Sequence, residues 1–418
     1  MVSLTERFYR WDQYLLFKVW IIVKIHFHLV LKVADALDQI FSDGRYADKV
    51  LEKVFKQNRQ LGARDRKFFA ECVYEIVRHR RLYSEVMKSD DSIDLVVAHL
   101  IKSDGDIPKK DEFTDYDVEK IKNRFKYKFE DTVLYSFPDW LNNLGQKEFG
   151  LEWNALMKSL NQPALVYLRT NRLKTDKKTL ILELDKEEIK SSALPDFDDA
   201  VVLSERKNVF TTNAFKKGFF EVQDASSQLI APLLDVKPGD RVVDACAGAG
   251  GKSLHLASLM KNKGKIISMD IHQWKLDELK KRAARGGVDI IETKLIESTK
   301  TIKRFDGSFD RVLLDVPCSG LGVLRRNPDT KWKLSQEEID RLIILQKEIL
   351  QDYAKMCKPG GKMVYATCSI LNTENENQVA YFLNSETGKN WTLIKEVRMW
   401  PHKDGHDGFF GALLQRKN

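Results

Sequence analysis

The spacing of apolar residues divides the chain into three regions of different periodicity. Between residues 26 and 88, apolar side chains recur at i, i+3, i+4 and i+7, which predicts helices, among them LKVADALDQIF, YADKVLEKVFKQ and GARDRKFFAECVYEIVRHRRLYSEV. Residues 165–222 are typical of short strands around one helix, namely LVYLRTN, TDKKTLILELDKE, AVVLS and GFFEV. From about residue 223, short apolar runs alternate with helical segments. The pattern predicts a helical domain, a small α+β module and a larger α/β domain.

The α/β region contains seven predicted strands, with helices on both faces of one sheet. The strands are RVVDACA, KIISMDI, IIETKLI, FDRVLLDV, PGGKMVYATC, WTLIKEV and GFFGALLQ. Only a loop separates the last two, so we expect an antiparallel pair at the end of an otherwise parallel sheet. This Rossmann-like, doubly wound arrangement with a closing antiparallel pair is typical of S-adenosylmethionine-dependent methyltransferases.

Two segments outside these regions need a separate interpretation. Residues 14–33, YLLFKVWIIVKIHFHLVLKV, are apolar enough to raise the question of a membrane, but lysines and histidines interrupt them at near-helical spacing. An amphipathic or packed helix is favoured, and a membrane-associated helix is the alternative. A signal peptide is disfavoured, because no small-residue cleavage site follows the segment. Residues 103–118, SDGDIPKKDEFTDYDV, are acidic and turn-rich, which predicts an exposed loop or linker.

The composition is that of an ordinary folded protein with a mild positive charge. Its 418 residues are 43% hydrophobic and 31% charged, and 69 Lys and Arg exceed 61 Asp and Glu, giving a net charge of +8 and an isoelectric point near 8.9. This excess permits a polyanionic partner without requiring one. The five cysteines contain no CxxC pair and no zinc spacing, so we expect free thiols, a cytoplasmic protein and no metal site.

Most of the excess positive charge lies in one part of the helical region. Residues 45–88 hold twelve Lys and Arg against six Asp and Glu, a local net charge of +6. Arg64, Arg66 and Lys67 belong to the densest part, and we predict that they contact RNA phosphates. A solvated helix face is the alternative.

A glycine-rich turn joins the first strand of the α/β region to its helix. In DACAGAGGK, residues 244–252, the glycines let a ligand approach the backbone closely, and the helix N-terminus favours an anionic group. The turn lacks both the G-x-G-x-x-G and the Walker spacing. Asp270 ends the next strand, where a carboxylate can accept both ribose hydroxyls of a nucleoside cofactor. A helix cap is the alternative for Asp270.

Two cysteines occupy matching positions at the ends of two predicted strands. Cys318 follows LLDVP, Cys368 follows MVYAT, and a serine comes directly after each. Open α/β sheets place their ligands at such strand ends, so we expect both thiols on one rim, although either cysteine alone is equally typical of a small buried thiol. The DVPCS sequence also lacks the Asn/Asp-Pro-Pro-aromatic pattern of amino-group methyltransferases, which favours a carbon target.

A nucleophilic thiol with a second thiol beside it suits methylation of cytosine at C5. That carbon is too electron-poor to attack a sulfonium methyl group unaided, and a thiolate that adds to C6 makes C5 nucleophilic. Loss of the C5 proton and expulsion of the thiol complete the reaction. The base must be flipped out or presented single-stranded.

Taken together, these segments resemble a known family. DACAGAGGK, DVPCSGLGVLRRNPD and YATCSILNTENE are similar to the motifs of the RsmB-type (Sun or Fmu) bacterial RNA 5-methylcytosine methyltransferases, and GFFEVQDASSQ, FPDWL, YLRTN and GHDGFFGALL extend the similarity. LGARDRKFFAECVYEIVR resembles the NusB-like RNA-binding domain of that family. The resemblance implies an N-terminal extension over residues 1–25, an all-α NusB-like domain over 26–130, a small α+β RNA-binding module over 131–218 and an S-adenosylmethionine-dependent methyltransferase domain over 219–418.

The resemblance also implies roles for individual residues. Cys368 would be the nucleophile, Cys318 the thiol that promotes product release, and Asp315 and Lys252 would face cofactor and base. The residues that would bind S-adenosylmethionine are Cys246, Ala247, Gly248, Ala249, Gly250, Gly251, Lys252, Asp270, Glu297 and Asp315, with Glu297 standing where the family usually has Asp. Arg325, Arg326 and Asp329 would lie near the RNA entrance.

The substrate implied by the resemblance is 16S rRNA, with no stable protein partner and no membrane association. The same chemistry on tRNA and a non-catalytic ribosome-assembly factor are the alternatives. The intact set of Cys368, Cys318, Asp315 and Lys252 favours an enzyme. A nicotinamide oxidoreductase is disfavoured, because the G-x-G-x-x-G spacing is missing.

Overall fold

A computed structural model describes residues 27–103, 107, 113 and 115–418. The predicted extension over 1–25, most of the apolar segment 14–33 and much of the 103–118 loop lie outside the described residues. The chain divides into two compact units, one formed by Met1–Lys147 with Asn327–Lys333 and the other by Glu148–Arg326 with Leu334–Asn418. Within the described ranges, no helix is both long and apolar enough to cross a membrane.

The first unit is helical, as the 3.6-residue periodicity predicts. Its helices are α1 (Phe27–Phe41), α2 (Ala47–Gln57), α3 (Ala63–Met87), α4 (Ser92–Lys102), α5 (Val118–Arg124), α6 (Asp131–Leu134) and α7 (Asp139–Phe149), the last of which crosses the unit boundary. Their apolar stripes meet in one core, where Val33 and Leu37 of α1 and Phe69 and Val73 of α3 are fully buried. Its NusB-like character stays a prediction.

A short segment from the later part of the chain completes the helical unit. In the turn Thr330–Lys333, the Trp332 indole and the Lys331 ammonium donate to main-chain carbonyls of α3 at 2.7 and 2.8 Å. Burial lowers the pKa of Lys331 well below its ordinary value. Asp329, expected near the RNA entrance, is buried and accepts a hydrogen bond from Ala47 N at 3.0 Å, at the start of α2. No periodicity in the sequence indicated this placement.

The second unit begins with a small α+β module. After α8 (Trp153–Leu160), an antiparallel sheet of order β2-β3-β1-β4 is formed by β1 (Tyr167–Thr170), β2 (Ser191–Ala193), β3 (Ala200–Leu203) and β4 (Phe220–Val222). Helix α9 (Lys177–Lys186) packs its buried Leu180 and Leu184 into the core of this module. The predicted strands and helix are present, whereas β2 was not predicted because Ser-Ser-Ala carries no apolar alternation.

A seven-stranded sheet forms the rest of the second unit, in the order β10-β11-β9-β8-β5-β6-β7. The strands are β5 (Arg241–Asp244), β6 (Lys265–Asp270), β7 (Ile291–Leu295), β8 (Phe309–Asp315), β9 (Cys357–Thr367), β10 (Trp391–Met399) and β11 (Phe409–Arg416). Strands β5 to β9 pair in parallel, and β11 pairs antiparallel with both β9 and β10. The predicted doubly wound sheet with its closing antiparallel pair is confirmed.

Helices cover both faces of this sheet. One core contains residues of α12 (Ile230–Leu233), α13 (Gly251–Leu259) and α14 (Gln273–Gly286), and the other contains residues of α15 (Thr299–Lys303), α17 (Gln336–Tyr353) and α18 (Glu376–Leu383). Of the remaining helices, α10 (Asn213–Lys216) belongs to the α+β module and α16 (Thr330–Lys333) to the helical unit, while α11 (Ala225–Gln228) and α19 (Pro401–Asp404) are single short turns. Successive strand residues face opposite cores, so Val242 belongs to one cluster and Val243 to the other. This packing fixes the strand ends, where the candidate site lies.

Candidate active site

The two cysteines meet just beyond the ends of β8 and β9. Cys318 Sγ and Cys368 Sγ lie 3.4 Å apart, and either thiol can donate a hydrogen bond to the other. Beyond them, Gly322 N donates to the Cys368 carbonyl at 2.9 Å. A Cβ on Gly322 would lie 2.7 Å from that oxygen, so the approach requires glycine. The two thiols share one rim of the sheet, as the sequence analysis expects.

The contact makes the two thiols chemically different. The hydrogen bond with Cys368 and burial raise the pKa of the Cys318 thiol well above its usual range. In a coupled pair, one proton leaves before the other. A protonated Cys318 can donate a hydrogen bond toward the sulfur of Cys368.

An ion pair connects the glycine turn with the loop that carries Cys318. Lys252, in the first turn of α13, places its Nζ 2.6 Å from Asp315 Oδ2 at the end of β8. The lysine is buried and also lies 5.0 Å from the centre of the Phe409 ring, while the Asp315 side chain is partly exposed. The exposed part of Asp315 is thus free to meet a ligand while Lys252 orients it.

Asp270 holds the glycine turn from the neighbouring strand. Its Oδ2 accepts from Gly248 N at 2.9 Å and its Oδ1 accepts from His272 N at 2.8 Å. Because a carboxylate has about four acceptor positions, two remain for ribose hydroxyls. The structure does not show the helix-cap alternative for Asp270, because the N-cap of α14 is His272 and no side-chain cap bond is present there. The contact of Asp270 with the cofactor stays a prediction.

Glu297 lies on the same rim, one residue after a backbone contact with Asp270. Ile296 N donates to the Asp270 carbonyl at 3.0 Å, which draws the end of β7 toward the turn. Glu297 itself is exposed. Its predicted contact with the cofactor stays a prediction.

Two arginines that the sequence analysis missed brace the turn. Arg282 of α14 donates to the Ala249 carbonyl at 2.7 Å, and Arg169 of β1 donates to the Gly251 carbonyl at 2.5 Å. They lie 33 and 82 positions from the residues they hold, so no local motif reveals them. Both bonds fix the backbone of the turn through its carbonyl groups.

Asp244, the first residue of the DACAGAGGK motif, is a further missed candidate. Its Oδ2 accepts from Ser253 Oγ at 2.6 Å, but its buried Oδ1 has no hydrogen-bond partner among the described residues. Burial raises the pKa of Asp244 to about 7. A buried, unpartnered acceptor beneath the turn fits a cofactor that brings its own donors, as the ammonium and ribose hydroxyls of S-adenosylmethionine do.

Arg325 and Arg326 make internal contacts. The Arg326 guanidinium donates to Asp407 at 2.5 Å and to Asp224 at 2.6 Å, and Arg325 donates to two main-chain carbonyls at 2.5 and 3.2 Å. Burial raises the pKa of Asp407 to about 7. Through these two bonds, Arg326 ties the loop after Cys318 to the segment before β11 and to the start of α11. Any RNA phosphate bound there would have to share this guanidinium with two carboxylates.

The other predicted RNA contacts lie at the start of α3 in the helical unit. Arg64 and Lys67 are exposed, while Arg66 is partly buried and donates to the Leu61 carbonyl at 2.9 Å. Arg64 and Lys67 have the accessibility that a phosphate contact needs. Their contact with RNA stays a prediction.

The sheet topology, the glycine turn and the carboxylate at the end of β6 define an S-adenosylmethionine-dependent methyltransferase. Residues 231–415 match the family described as 16S rRNA methyltransferase RsmB/F, and residues 137–210 match the ferredoxin-like domain of RsmF/B-like methyltransferases. The chain belongs to the RsmB/F family, which confirms the resemblance read from its motifs. It is an RNA methyltransferase, and S-adenosylmethionine is its cofactor.

Several individual proteins share this similarity over most of their length. The probable ribosomal RNA small subunit methyltransferase B of Bacillus subtilis is 35% identical over 299 residues, 68% of this chain and 67% of the relative. The protein of the same name from Synechocystis is 35% identical over 301 residues, with the same coverage. The crystal structure of PH0851 superposes with a TM-score of 0.79 at 26% identity, covering 94% of this chain and 100% of that one. NSun6 from Pyrococcus horikoshii shares the fold, with a TM-score of 0.63 at 23% identity over 68% of this chain and 100% of its own.

Proposed function

We propose that this protein methylates C5 of a cytosine in 16S rRNA and that Cys368 is the nucleophile. The observation that carries the proposal is the 3.4 Å contact between two thiols on the rim that holds the cofactor turn. Among RNA methyltransferase reactions, addition to the cytosine ring explains why two thiols are needed there. The family match and the relatives named for small-subunit ribosomal RNA support 16S rRNA as the substrate.

The first step joins the Cys368 sulfur to C6 of the cytosine. The thiolate supplies the electron pair of the new S–C6 bond, and the ring electrons move toward C5 and N3. The Cys318 thiol, which retains its proton, donates a hydrogen bond that stabilises the Cys368 thiolate before the attack. C5 thereby becomes nucleophilic enough to accept a methyl group.

Asp315 and Lys252 orient the base. Because Asp315 is ion-paired with Lys252, its carboxylate acts as an acceptor, and the exocyclic amino group of cytosine is the donor that it fits. The Lys252 ammonium has three donors, of which Asp315 takes one, so it can donate to N3 as negative charge develops there.

Bound S-adenosylmethionine supplies an electrophilic methyl group on a positively charged sulfur. Asp270 and Asp244 would bind its donor groups, and the turn at 246–252 would hold it against the rim. After transfer, the C5 proton passes to water and the electrons of the C5–H bond re-form the C5=C6 double bond. The S–C6 bond breaks, and its electrons return to the Cys368 sulfur. Cys318 assists this release by donating its hydrogen bond to the departing thiolate.

The test is transfer of a labelled methyl group to unmodified small-subunit rRNA, followed by bisulfite mapping. Cys368→Ala should abolish incorporation, and Cys318→Ala should accumulate a covalent protein–RNA adduct that migrates as a shifted band. Cys357→Ala is the matched control, because Cys357 begins β9 at the opposite end from Cys368. Incorporation that survives Cys368→Ala would refute the nucleophile assignment.

The same assay separates the alternatives. Incorporation into tRNA and none into rRNA would show that the protein carries out the same reaction on tRNA. Absence of cofactor binding in calorimetry would favour a non-catalytic assembly factor. Absence of an adduct in Cys318→Ala would contradict the release role of Cys318.

A further inference from the structure

The loops after the two cysteines repeat the same local structure. Both have the sequence Cys-Ser-x-Leu, at 318–321 and at 368–371. In each loop the serine hydroxyl accepts from the leucine N–H two positions on, at 3.4 Å in the first loop and 3.0 Å in the second. Each serine is therefore fixed in its own turn, with its hydroxyl proton left to donate elsewhere.

Both hydroxyl protons go to one carboxylate, that of Glu374. Ser319 Oγ donates to Glu374 Oε2 at 2.5 Å, and Ser369 Oγ donates to the same oxygen. The two hydroxyl oxygens, which belong to the residues that directly follow the two cysteines, lie 3.1 Å apart. One side chain thus binds the residue that follows each cysteine.

The other oxygen of Glu374 holds the first loop from its backbone. Oε1 accepts from Ser319 N at 2.8 Å and from Gln346 Nε2 at 2.9 Å, and the same amide nitrogen donates to the Pro317 carbonyl at 2.9 Å. Cys318 is therefore flanked on both sides by groups bound to the Glu374–Gln346 pair. Glu374 is also fixed by its own carbonyl, which accepts from Tyr365 at 2.7 Å.

The second loop receives a matching backbone contact from the next residue. Asn375 Nδ2 donates to the Ser369 carbonyl at 3.0 Å, and its Oδ1 accepts from Thr367 at 2.5 Å, so Cys368 lies between two residues bound to Asn375. Glu374 and Asn375 are fully buried, and Glu374 forms no ion pair within the described part of the chain. Burial of a carboxylate without a counter-ion is unfavourable, and here four hydrogen bonds compensate for it. A buried polar network whose members are all hydrogen-bonded makes the local structure rigid.

We propose that Glu374 is the positioning residue of the thiol pair, and that by binding the serine after each cysteine it sets the distance between Cys318 and Cys368. The geometric part of this proposal stands on the contacts alone. Its consequence for catalysis rests on the proposed cytosine chemistry. Glu374 touches neither thiol: it acts on their positions through the two loops, and its negative charge also helps to raise the pKa of Cys318.

Glu374→Gln is the informative substitution, because it keeps the shape and replaces one acceptor oxygen by a donor nitrogen. Two of the four hydrogen bonds then lose their acceptor, and the two loops are no longer held to one point. Misplacement of a reacting group by about 1 Å costs on the order of 100-fold in rate, so we expect kcat to fall by about that factor while KM for RNA changes little. Cofactor affinity in calorimetry should be unchanged, because Glu374 does not contact the turn.

A second measurement monitors the reactivity of the Cys318 thiol in the absence of RNA. The rate of iodoacetamide alkylation at Cys318 is measured against pH in the full-length protein, with the modified peptide identified by mass. Cys368→Ala sets the scale, because it removes the partner whose hydrogen bond holds the Cys318 proton. Glu374→Gln should move the Cys318 profile to lower pH, in the direction of Cys368→Ala, partly because the negative charge that raises the Cys318 pKa is lost. Ser319→Ala keeps that charge, so a shift in Ser319→Ala reports the positioning effect alone. A role in stability alone would lower the melting temperature and leave this profile in place.

Two further variants control the interpretation. Glu386→Gln makes the same chemical change at an exposed carboxylate that pairs with Lys389, and it should leave both readouts unchanged. Ser319→Ala removes one hydroxyl without altering the carboxylate, and it should shift the Cys318 profile in the same direction by a smaller amount. Glu374→Gln added to a Ser319→Ala/Ser369→Ala background should have less effect than it has alone.

The outcomes separate this proposal from the cytosine chemistry. An unchanged Cys318 profile in both Glu374→Gln and Ser319→Ala would overturn the positioning role, whatever the activity. A shifted profile in a protein that forms no 5-methylcytosine would leave the positioning role intact and refute the proposed reaction. Poor folding of Glu374→Gln leaves Ser319→Ala as the deciding variant.

Discussion

Gly250 is where the cofactor turn is most constrained by packing. Its φ of +84° lies in the left-handed region, and a Cβ built on it would lie 2.4 Å from Cγ and 2.8 Å from Cδ1 of Leu279. Leu279 is fully buried in α14 and cannot move aside without disturbing the core. Gly250→Ala therefore combines an unfavourable backbone conformation with a collision.

Gly248 offers a matched comparison in the same turn. Its φ is +55°, but nothing lies within 4 Å of the Cβ it would carry. Gly248→Ala should cost only the conformational part, roughly 1–2 kcal/mol. Gly250→Ala should cost that amount plus roughly 1–3 kcal/mol for overpacking, in total about 2–5 kcal/mol. The difference between the two variants isolates the collision with Leu279.

The measurement is urea unfolding of the cofactor-free protein, followed by circular dichroism, for Gly248→Ala, Gly250→Ala, Leu279→Ala and Gly250→Ala/Leu279→Ala. Leu279→Ala removes the atoms that collide, so the double variant should be more stable than the sum of the single effects predicts, by about 1–3 kcal/mol. Equal stability of Gly248→Ala and Gly250→Ala, together with additive behaviour of the double variant, would refute the steric argument.

Two other buried groups give separate predictions. Burial raises the pKa of Asp244 to about 7, so its contribution to stability is complete below about pH 4 and is lost as pH rises through about 7. Asp244→Asn should make the free energy of unfolding less pH-dependent in that window, and chemical denaturation between pH 4 and 8 that shows the same slope as the parent would contradict this. In the helical unit, Lys331→Met should cost about 1–3 kcal/mol, because buried main-chain carbonyls lose their donor. Faster amide hydrogen exchange in α3 would show it, and unchanged exchange there would refute it.

The fold was largely predictable because its signals are local and repeated. The helical periodicity of residues 26–88 and the alternation of strands and helices after residue 223 each involve many residues, and both architectures are present. The segment Asn327–Lys333 was not predictable, because its membership of the helical unit depends on contacts such as that of Trp332 with α3. Strand β2 was missed for a different reason, since three small residues carry no periodicity.

The candidate site was predictable where function requires a short contiguous motif. The glycine turn, Asp270 and the two cysteines each stand at a strand end that the hydrophobic pattern locates. The residues that hold them in place were not predictable. Arg169 and Arg282 act across gaps of tens of residues, and an isolated arginine in a sequence gives no sign of its partner. Glu374 lies within the YATCSILNTENE segment, but nothing in that segment indicates its bond to Ser319, 55 positions away. The repeated Cys-Ser-x-Leu was the one local signal that a shared partner existed.

The 3.4 Å distance between the sulfurs shows why these supporting residues matter. Neighbouring strands in a sheet lie about 4.8 Å apart, so parallel pairing of β8 and β9 alone does not bring side chains beyond their ends into contact. The loops must turn toward each other, and two sets of contacts hold them together. Gly322 N donates to the Cys368 carbonyl, and Glu374 accepts hydrogen bonds from both serines. The sheet therefore determines which two loops meet, while the buried carboxylate determines how closely they meet. If the second thiol acts only within hydrogen-bonding distance of the first, the chemistry of the pair depends on Glu374 through the positions of the two loops.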